Sequence, residues 1–124
     1  MDLPQEGSLL RIFIGESDRH QGKPLYEWIV QKAREAHLAG ATVIRGMMGF
    51  GAHSRLHTFK IERLSEDLPI IVEIVDVRSK LEDFLRTIDH VVVEGLATLE
   101  SALVHFYRSG SGTTELRDTG QRGP

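Results

Sequence analysis

Alternating apolar and polar residues predict several short β-strands in this chain. The alternation in residues 8–16 divides the side chains into two sets: Leu10, Ile12 and Ile14 on one side, Leu9, Arg11 and Phe13 on the other. Residues 70–77 (IIVEIVDV) are nearly all β-branched, which is typical of a buried strand. Further strands are predicted over residues 41–51, 57–64 and 96–107, the last with a break near Glu100.

Two other stretches repeat apolar residues at helical spacing. The first helix is predicted to begin at Pro24, where a missing N–H has no consequence, and to end in a left-handed cap at Gly40. The second is predicted to open with a capping box of Ser79 and Glu82 and to stop by Gly95. The apolar stripes of the two helices are Leu25, Trp28, Ile29, Ala33 and Ala36, then Leu81, Phe84, Leu85, Ile88 and Val91.

The order strand, helix, strand, strand, helix, strand predicts an α+β fold, the ferredoxin-like βαββαβ sandwich. Both helices would cover one face of an antiparallel sheet. The other face would carry Ile71 and Val75 around Glu73, with Leu9 and Phe13 beside them, and is too apolar to stay in water. Such a face predicts a homo-oligomer. We expect a folded domain over residues 9–107, a flexible N-terminus (1–8) and a disordered C-terminal tail (108–124).

Composition narrows the class of protein. The 124 residues are 40% hydrophobic and 27% charged, which is typical of one globular domain. A net charge of −3 disfavours nucleic-acid binding, and the absence of cysteine excludes disulfides and thiolate metal sites. No apolar run approaches the roughly 20 residues of a membrane span, and the N-terminus does not resemble a signal peptide. The expectation is a soluble, cytoplasmic protein.

The most unusual stretch is the glycine-rich sequence GMMGFG, residues 46–51. It fits neither a Walker loop nor a Rossmann fingerprint. Residues 36–61 contain no acidic residue but include Arg45 and Arg55, so the stretch lies in a basic island of an acidic chain. Exposed glycine amides can form an anion-binding nest, and arginine suits phosphate oxygens. The alternative is a β-bulge or hairpin corner, and the sequence leaves both open.

Histidines and a serine follow the glycines. His53 and His57 are four residues apart, as zinc ligands on a helix can be, but no carboxylate or cysteine lies nearby to complete a site. Contact with phosphate, or a plain loop position, is the favoured interpretation. Ser54 has no orienting acid that would make a catalytic triad. No nucleophile or general base is specified elsewhere, so we do not predict an enzyme.

Three segments together resemble a known family. They read LRIFIGESDRHQGKPLYEWIV, AGATVIRGMMGFGAHSRLHT and LSEDLPIIVEIVD, and the resemblance runs from about Leu9 to Tyr107. It is a resemblance to the PII-like proteins of domain-of-unknown-function family one-ninety, relatives of PII signalling proteins and CutA-type trimers. The resemblance implies a homotrimer with an adenine-nucleotide site in the clefts between subunits. Family association with channels or transporters, including fluoride exporters, implies a membrane protein as a partner.

The resemblance also assigns roles to residues. Gly49, Phe50 and Gly51 match the Gly-Phe-Gly element at the base of the mobile T-loop, so their amides would hold phosphate oxygens. PII proteins continue with Arg-Gln-Lys, whereas this chain has Ala52, His53 and Ser54. The Gly-Asp-Gly-Lys phosphate loop of PII is replaced by VEGLATLE. With two cationic contacts missing, AMP or ADP is favoured over ATP.

The sequence therefore favours a non-enzymatic regulator that needs no cofactor and binds an adenine nucleotide. The expected nucleotide-binding residues are Arg45, Gly49, Phe50, Gly51, His53, Ser54 and Arg55. Binding would order the loop around His53 and Ser54, and a partner would recognise that state. One alternative is a CutA-like protein that binds a divalent metal through His53 and His57. A small enzyme acting on a phosphorylated compound is a further alternative.

Overall fold

In the computed structural model of the chain, the residues described are 5–51, 57–58 (backbone only), 67–110 and 116. Two helices and four longer strands make up most of this part. In chain order the elements are β1 (Gln5–Gly15), β2 (Arg19–His20), β3 (Lys23–Pro24), α1 (Leu25–Glu35), β4 (Thr42–Arg45), β5 (Met48–Gly49), β6 (His57–Thr58), β7 (Pro69–Asp76), α2 (Arg78–Ile88) and β8 (Leu96–Val104).

The main sheet has four strands in the order β4-β7-β1-β8, and every neighbouring pair is antiparallel. With α1 and α2 in their places along the chain, this is the ferredoxin-like βαββαβ arrangement that the sequence predicts. Two short two-stranded pairs, β2-β3 and β5-β6, lie outside the main sheet. The predicted fold is therefore confirmed.

The hydrophobic core lies between the helices and one face of the sheet. Alternate residues of β1 and β7 point into it because side chains on a strand have a period of two. The predicted division of β1 is confirmed, with Leu10 fully buried and Ile12 and Ile14 nearly so. The other core residues, contributed by β7, the two helices and the turn after α2, are Ile70, Val72, Ile74, Leu25, Trp28, Ile29, Ala33, Leu81, Phe84, Ile88 and Val91. Their burial is the main stabilising term for the fold.

The opposite face of the sheet, which we call the open face, carries three rows of side chains. The strand register defines these rows as Ile44-Ile71-Phe13-Leu96, Thr42-Glu73-Arg11-Thr98 and Val75-Leu9-Glu100. The first row is apolar across all four strands, and Ile44 and Leu96 keep 41% and 58% of their surface exposed. The predicted apolar character of this face is confirmed.

The boundaries of α1 differ from the sequence prediction at both ends. Pro24 is the N-cap and lies one residue before the helix instead of at its first position. The C-cap is Ala36, and the left-handed residue that follows it is His37 (φ 60°), not Gly40. The His37 N–H donates to the Arg34 carbonyl (3.0 Å) and the Leu38 N–H to the Ala33 carbonyl (3.1 Å), which together make a Schellman motif. Gly40 was a wrong prediction because the cap forms three residues earlier.

The predicted capping box of α2 is also wrong. Val77 is the N-cap, so Ser79 is already the second helical residue and its side chain makes no cap. The Val77 N–H instead donates to Asp76 Oδ1 at 2.7 Å. The helix ends at Ile88, well before Gly95. A Cβ at Gly95 would lie 2.6 Å from the Phe13 carbonyl oxygen, so this glycine permits a close approach to β1.

The strands differ from prediction mainly in length. β1 begins at Gln5, three residues earlier than expected. β8 has no break near Glu100, which pairs with Leu9, and it ends at Val104. The predicted strand over 41–51 is divided into β4 and β5, and only the first two residues of the predicted strand over 57–64 lie in the described part. Within the described residues, no helix is long and apolar enough to cross a membrane.

Candidate functional site

The glycine-rich stretch, residues 46–51, follows β4 and packs against Pro69, the first residue of β7. The Gly46 N–H donates to the Pro69 carbonyl at 2.8 Å. A Cβ at Gly46 would lie 2.7 Å from Pro69 Cγ and one at Gly49 would lie 3.2 Å from it, whereas one at Gly51 would have no described atom within 4 Å. Positive φ among the described glycines occurs at Gly22 and Gly110 and not in this stretch. Close packing therefore explains the glycine at position 46, and Gly49 lies in tight contact with the same proline ring.

Large apolar side chains alternate with these glycines and point into solvent. Met47, Met48 and Phe50 have 76%, 60% and 70% of their surface exposed. β5 pairs with β6, with Gly49 opposite His57, so the stretch forms one side of a small two-stranded ribbon. Of the expected nucleotide-binding residues, Gly49 is thus part of this ribbon, and Phe50 and Gly51 follow directly after it.

Arg45, the last residue of β4, forms an ion pair with Glu16, which lies outside the acid-free window of residues 36–61. Its Nη1 lies 2.9 Å from Glu16 Oε2, and Glu16 follows directly after β1. The Gly15 N–H donates to Asp18 Oδ2 at 3.0 Å in the same loop, and burial is the main cause that raises the pKa of Asp18. At Arg45, the fold therefore supplies an acidic partner that the sequence window of residues 36–61 lacks.

The remaining expected residues, His53, Ser54 and Arg55, lie outside the described residues. The same holds for the side chain of His57. In the parts of the chain that the structure describes, no three histidine or carboxylate side chains converge to form a metal site. Arg45, Gly49, Phe50 and Gly51 can be placed, and all four are near the C-terminal end of β4.

A cleft of about 370 Å³ lies at the other end of β4. Its floor is the open face, its first wall is the connection between α1 and β4, and its second wall is the segment that follows β8. The lining residues are Leu9, Thr42, Glu73 and Val75 on the floor, Ala39, Gly40 and Ala41 in the first wall, and Val104, Phe106, Tyr107 and Leu116 in the second. Its volume falls in the range of small-molecule sites, about 300–1,000 Å³.

The floor of the cleft combines apolar surface with one carboxylate. Leu9 and Val75 supply the apolar part, and Glu73 lies in the neighbouring row. Glu73 Oε2 accepts from Arg11 Nε at 3.0 Å, and Arg11 Nη1 lies 3.3 Å from Glu100 Oε1. The hydrogen bond with Glu73 is the main cause that raises the pKa of Arg11. A floor of this kind can hold a flat apolar group and accept a hydrogen bond from it.

Side-chain hydrogen bonds at Tyr107 and Leu116 attach the second wall to the rest of the fold. The Tyr107 hydroxyl donates to the Ala39 carbonyl at 2.6 Å and so joins the two walls. Gln5 holds Leu116 by both halves of its amide, since Nε2 donates to the Leu116 carbonyl (2.9 Å) and Oε1 accepts from the Leu116 N–H (3.1 Å). Leu116 belongs to the segment expected to be a loose tail, yet it is buried.

Sequence reasoning did not find this cleft. None of the four expected site residues that can be placed lines it. One signal was available, because Glu73 interrupts the apolar run of β7 on the face turned away from the helices. In the sequence, Gly40 indicates only the end of a helix and Ala41 only the start of a strand. The second wall carries no signal of a cleft, because residues 104–107 are predicted only as the end of a strand and Leu116 lies in the predicted tail.

The fold and the cleft together define an α+β protein with a cleft of small-molecule size on the open face of its sheet. The family model DUF190, described as "Uncharacterized ACR", matches residues 7–104, and the chain belongs to this family. A UPF0166 protein of Aquifex aeolicus (strain VF5) is 40% identical over 98 residues, which cover 79% of this chain and 92% of the relative. A UPF0166 protein of Methanocaldococcus jannaschii is 31% identical over 87 residues, covering 70% and 80%.

Similarity to solved structures supports the same fold. CPII from Thiomonas intermedia K12 is described as a nitrogen regulatory PII-like protein, and its structure contains bound ADP, AMP and bicarbonate. It superposes with a TM-score of 0.64 at 13% identity, covering 83% of this chain and 92% of CPII. The resemblance to PII-like proteins that the sequence indicates is therefore confirmed at the level of the family and the fold.

Proposed function

We propose that this protein is a non-enzymatic, PII-like regulator that binds an adenine nucleotide, AMP or ADP in preference to ATP. The observation that carries the proposal is a preformed cleft on the open face of a fold shared with CPII, which binds ADP and AMP. The cleft is large enough for a nucleoside, and its floor pairs apolar surface with a hydrogen-bond acceptor.

The purine base and ribose would occupy the cleft, between Leu9 and Val75 on the floor and the wall at Ala39–Ala41. Glu73 carries a negative charge there, so the phosphates would point away from it, since like charges repel. The expected phosphate-binding group is at the other end of β4: Arg45, Gly49, Phe50, Gly51, His53, Ser54 and Arg55. For Arg45 to take part, a phosphate would replace Glu16 as its partner.

A homotrimer would bring the two ends of β4 together between subunits. The apolar row of the open face supports self-association, because Ile44 and Leu96 leave much of their apolar surface in water in a single chain. In such a trimer, the cleft of one subunit and the glycine-rich stretch of a neighbour can face the same ligand. The expected mass in solution is three times the 13.9 kDa of the chain. Ile71→Arg places a charge in the middle of the apolar row, and this variant is expected to have the mass of a monomer in solution.

Signalling would follow from the loop beyond Gly51. Contacts of the phosphates with His53, Ser54 and Arg55 would favour one loop state over another, as a ligand-driven switch requires. A partner would bind only that state. The family resemblance suggests a membrane channel or transporter as this partner, and the protein would then act from the cytoplasm.

The test is calorimetric titration of AMP, ADP and ATP into wild type and two variants. Gly40 lines the cleft, and Gly51 belongs to the glycine-rich stretch. A Cβ at either position would have no described atom within 4 Å, and neither has a positive φ, so both accept a larger side chain. Gly40→Leu fills the cleft, whereas Gly51→Leu obstructs the glycine-rich stretch.

Both variants are expected to weaken binding of AMP and ADP at least tenfold, with both proteins still folded. If only Gly40→Leu binds nucleotide more weakly, the glycine-rich stretch is not part of the binding site. If only Gly51→Leu binds nucleotide more weakly, the cleft is not part of it. If wild type binds none of the three nucleotides at millimolar concentration, the proposed function is wrong. Metal analysis of the same untagged protein checks the alternative, since stoichiometric zinc or copper would support binding by His53 and His57.

A further inference from the structure

The connection between α1 and β4 forms the first wall of the cleft, and two buried charged side chains hold its backbone. Lys80 Nζ donates to the His37 carbonyl at 2.9 Å, and Asp76 Oδ2 accepts from the Ala39 N–H at 2.8 Å. Neither side chain lines the cleft. They come from the end of β7 and the first turn of α2, on the helix side of the sheet. Their hydrogen bonds reach the connection from behind the cleft.

The burial of this pair needs an explanation beyond stability. Asp76 and Lys80 have 1% and 8% of their surface exposed, and their charged atoms are 3.4 Å apart. A buried ion pair adds little net stability compared with apolar residues of the same volume, because both charges lose their hydration. What apolar residues could not supply are the two directed hydrogen bonds to His37 and Ala39. The pair therefore fixes the geometry of the connection.

The peptide groups of Ala39 are held from both sides. Its N–H donates to Asp76, and its carbonyl accepts from the Tyr107 hydroxyl at 2.6 Å. Tyr107 belongs to the second wall of the cleft. An unbroken line of polar contacts thus runs from Lys80 through Asp76 and Ala39 to Tyr107, and it joins the two walls of the cleft.

Packing also restrains the connection, since Leu38 and Ala41 pack against the core. His37 adopts a left-handed conformation, which is unfavourable for a residue with a side chain. A Cβ at Gly40 would meet nothing within 4 Å in the described structure, so this part of the wall is not packed from the cleft side. Together with the packing of Leu38 and Ala41, the side-chain hydrogen bonds from Asp76, Lys80 and Tyr107 fix the position of the wall.

We propose that Asp76, Lys80 and Tyr107 are positioning residues that set the width of the cleft and thereby its affinity for a nucleotide. Asp76 and Lys80 act from behind the wall, and Tyr107 acts through the bond that joins the walls. The identity of the ligand rests on the proposed function above. The position of the wall does not, because it can be measured in the protein without ligand.

The experiment compares Tyr107→Phe and Lys80→Met with Tyr26→Phe in the full chain. Tyr107→Phe removes only the hydroxyl, and Tyr26→Phe makes the same change on α1, where the ring packs against the core away from the cleft. Amide hydrogen exchange of residues 38–42 is measured without ligand, with residues 70–75 as the internal reference. The Kd for AMP is measured by calorimetry.

In Tyr107→Phe, exchange is expected to rise at residues 38–42 and not at 70–75. The Kd for AMP is expected to rise about three- to tenfold, the effect of losing one hydrogen bond. Tyr26→Phe should change neither. Lys80→Met should act in the same direction, and if it does not fold, Tyr107→Phe alone decides.

Unchanged exchange at residues 38–42 in Tyr107→Phe would overturn the proposal. So would faster exchange with the wild-type Kd, because the wall would then be loosened without effect on the ligand. Equal increases at 38–42 and 70–75 would also overturn it, since they indicate general destabilisation. If wild type does not bind AMP while exchange rises only at 38–42, the positioning of the wall stands and the proposed function fails.

Discussion

The two ends of β4 differ in how their backbone is held. At the N-terminal end, the connection from α1 is fixed by Asp76, Lys80 and Tyr107, and a cleft lies beside it. At the C-terminal end, the glycine-rich stretch contacts the fold mainly through Pro69, and its large side chains point into solvent. Four residues of strand thus separate a built cavity from an exposed ribbon.

This difference shows that unusual composition and preformed geometry are separate signals. The glycine-rich stretch is conspicuous in the sequence, but two of its glycines make room for the ring of Pro69. The cleft is inconspicuous in the sequence, because its walls are assembled from distant segments. A ligand that uses both ends would combine a rigid site for one part with an adaptable site for the other. Four predictions test this contrast, in order of decreasing effect.

The largest effect is expected from breaking the buried pair at the cleft end. Asp76→Ala leaves Lys80 buried without its counter-charge, and should lower the free energy of unfolding by about 3–5 kcal/mol. Arg78→Ala is the matched control, since Arg78 and Glu82 form an exposed pair at the same i,i+4 spacing, worth about 0.3–0.5 kcal/mol. Urea unfolding measures both. If both variants lose similarly little free energy of unfolding, the buried pair at the cleft end contributes no more than an exposed surface pair.

The next effect concerns packing at the glycine end. Gly46→Ala places a methyl group 2.7 Å from Pro69 Cγ, so the ring or the backbone must move, with an expected loss of about 1–3 kcal/mol. Gly51→Ala adds a methyl group that has no described atom within 4 Å, and it should change the free energy of unfolding by no more than about 0.5 kcal/mol. Thermal unfolding of the two variants gives the comparison. A neutral Gly46→Ala would contradict the packing role assigned to that glycine.

A smaller effect is expected at the cap of α1, which leads into the cleft wall. His37 has a φ of 60°, so His37→Gly relieves an unfavourable conformation and should stabilise the protein by on the order of 1 kcal/mol. Gly22→Ala is the opposite case, because its φ is 81° with nothing nearby, and it should destabilise by a similar amount. Opposite shifts of the urea midpoint are the expected result. Shifts of the same sign would show that the backbone φ does not determine how these two substitutions change stability.

The smallest effect is a pH dependence beside the glycine end. Burial raises the pKa of Asp18 in the folded protein above its ordinary value of 3.8, so the folded state keeps its proton to higher pH than the unfolded state does. The wild type therefore loses stability as the pH rises from 3.8 through the raised pKa, whereas Asp18→Asn does not. Unfolding of both proteins between pH 3 and 7 is the measurement. The stability of the variant relative to wild type should increase over that window and then level off.

Several parts of the fold could be predicted from local patterns because the physics behind them is local. The alternation of Leu10, Ile12 and Ile14 with Leu9 and Phe13 decided which side chains of β1 enter the core. Capping failed at Gly40 and Ser79 because several nearby residues can cap a helix, and the surrounding packing selects one. The predicted break in β8 near Glu100 is wrong, because pairing with β1 outweighs the effect of one charged residue.

The candidate site was predictable only where it is continuous in sequence. Gly49, Phe50 and Gly51 could be proposed from a motif of three adjacent residues. The cleft could not, because its walls meet only after folding: Tyr107 reaches Ala39 across 68 residues, and Gln5 reaches Leu116 across 111. Arg45 shows the same limit, since its partner Glu16 is 29 residues away.

The sequence by itself determined the order of elements, the two faces of the sheet and the glycine-rich stretch, because these depend on neighbouring residues and on side-chain periodicity. Only the tertiary structure decided where charge and cavity lie. Asp76 holds the Ala39 amide, Glu16 neutralises Arg45, and Tyr107 joins the walls of the cleft. Each of these contacts joins segments far apart along the chain, so no local pattern can specify it.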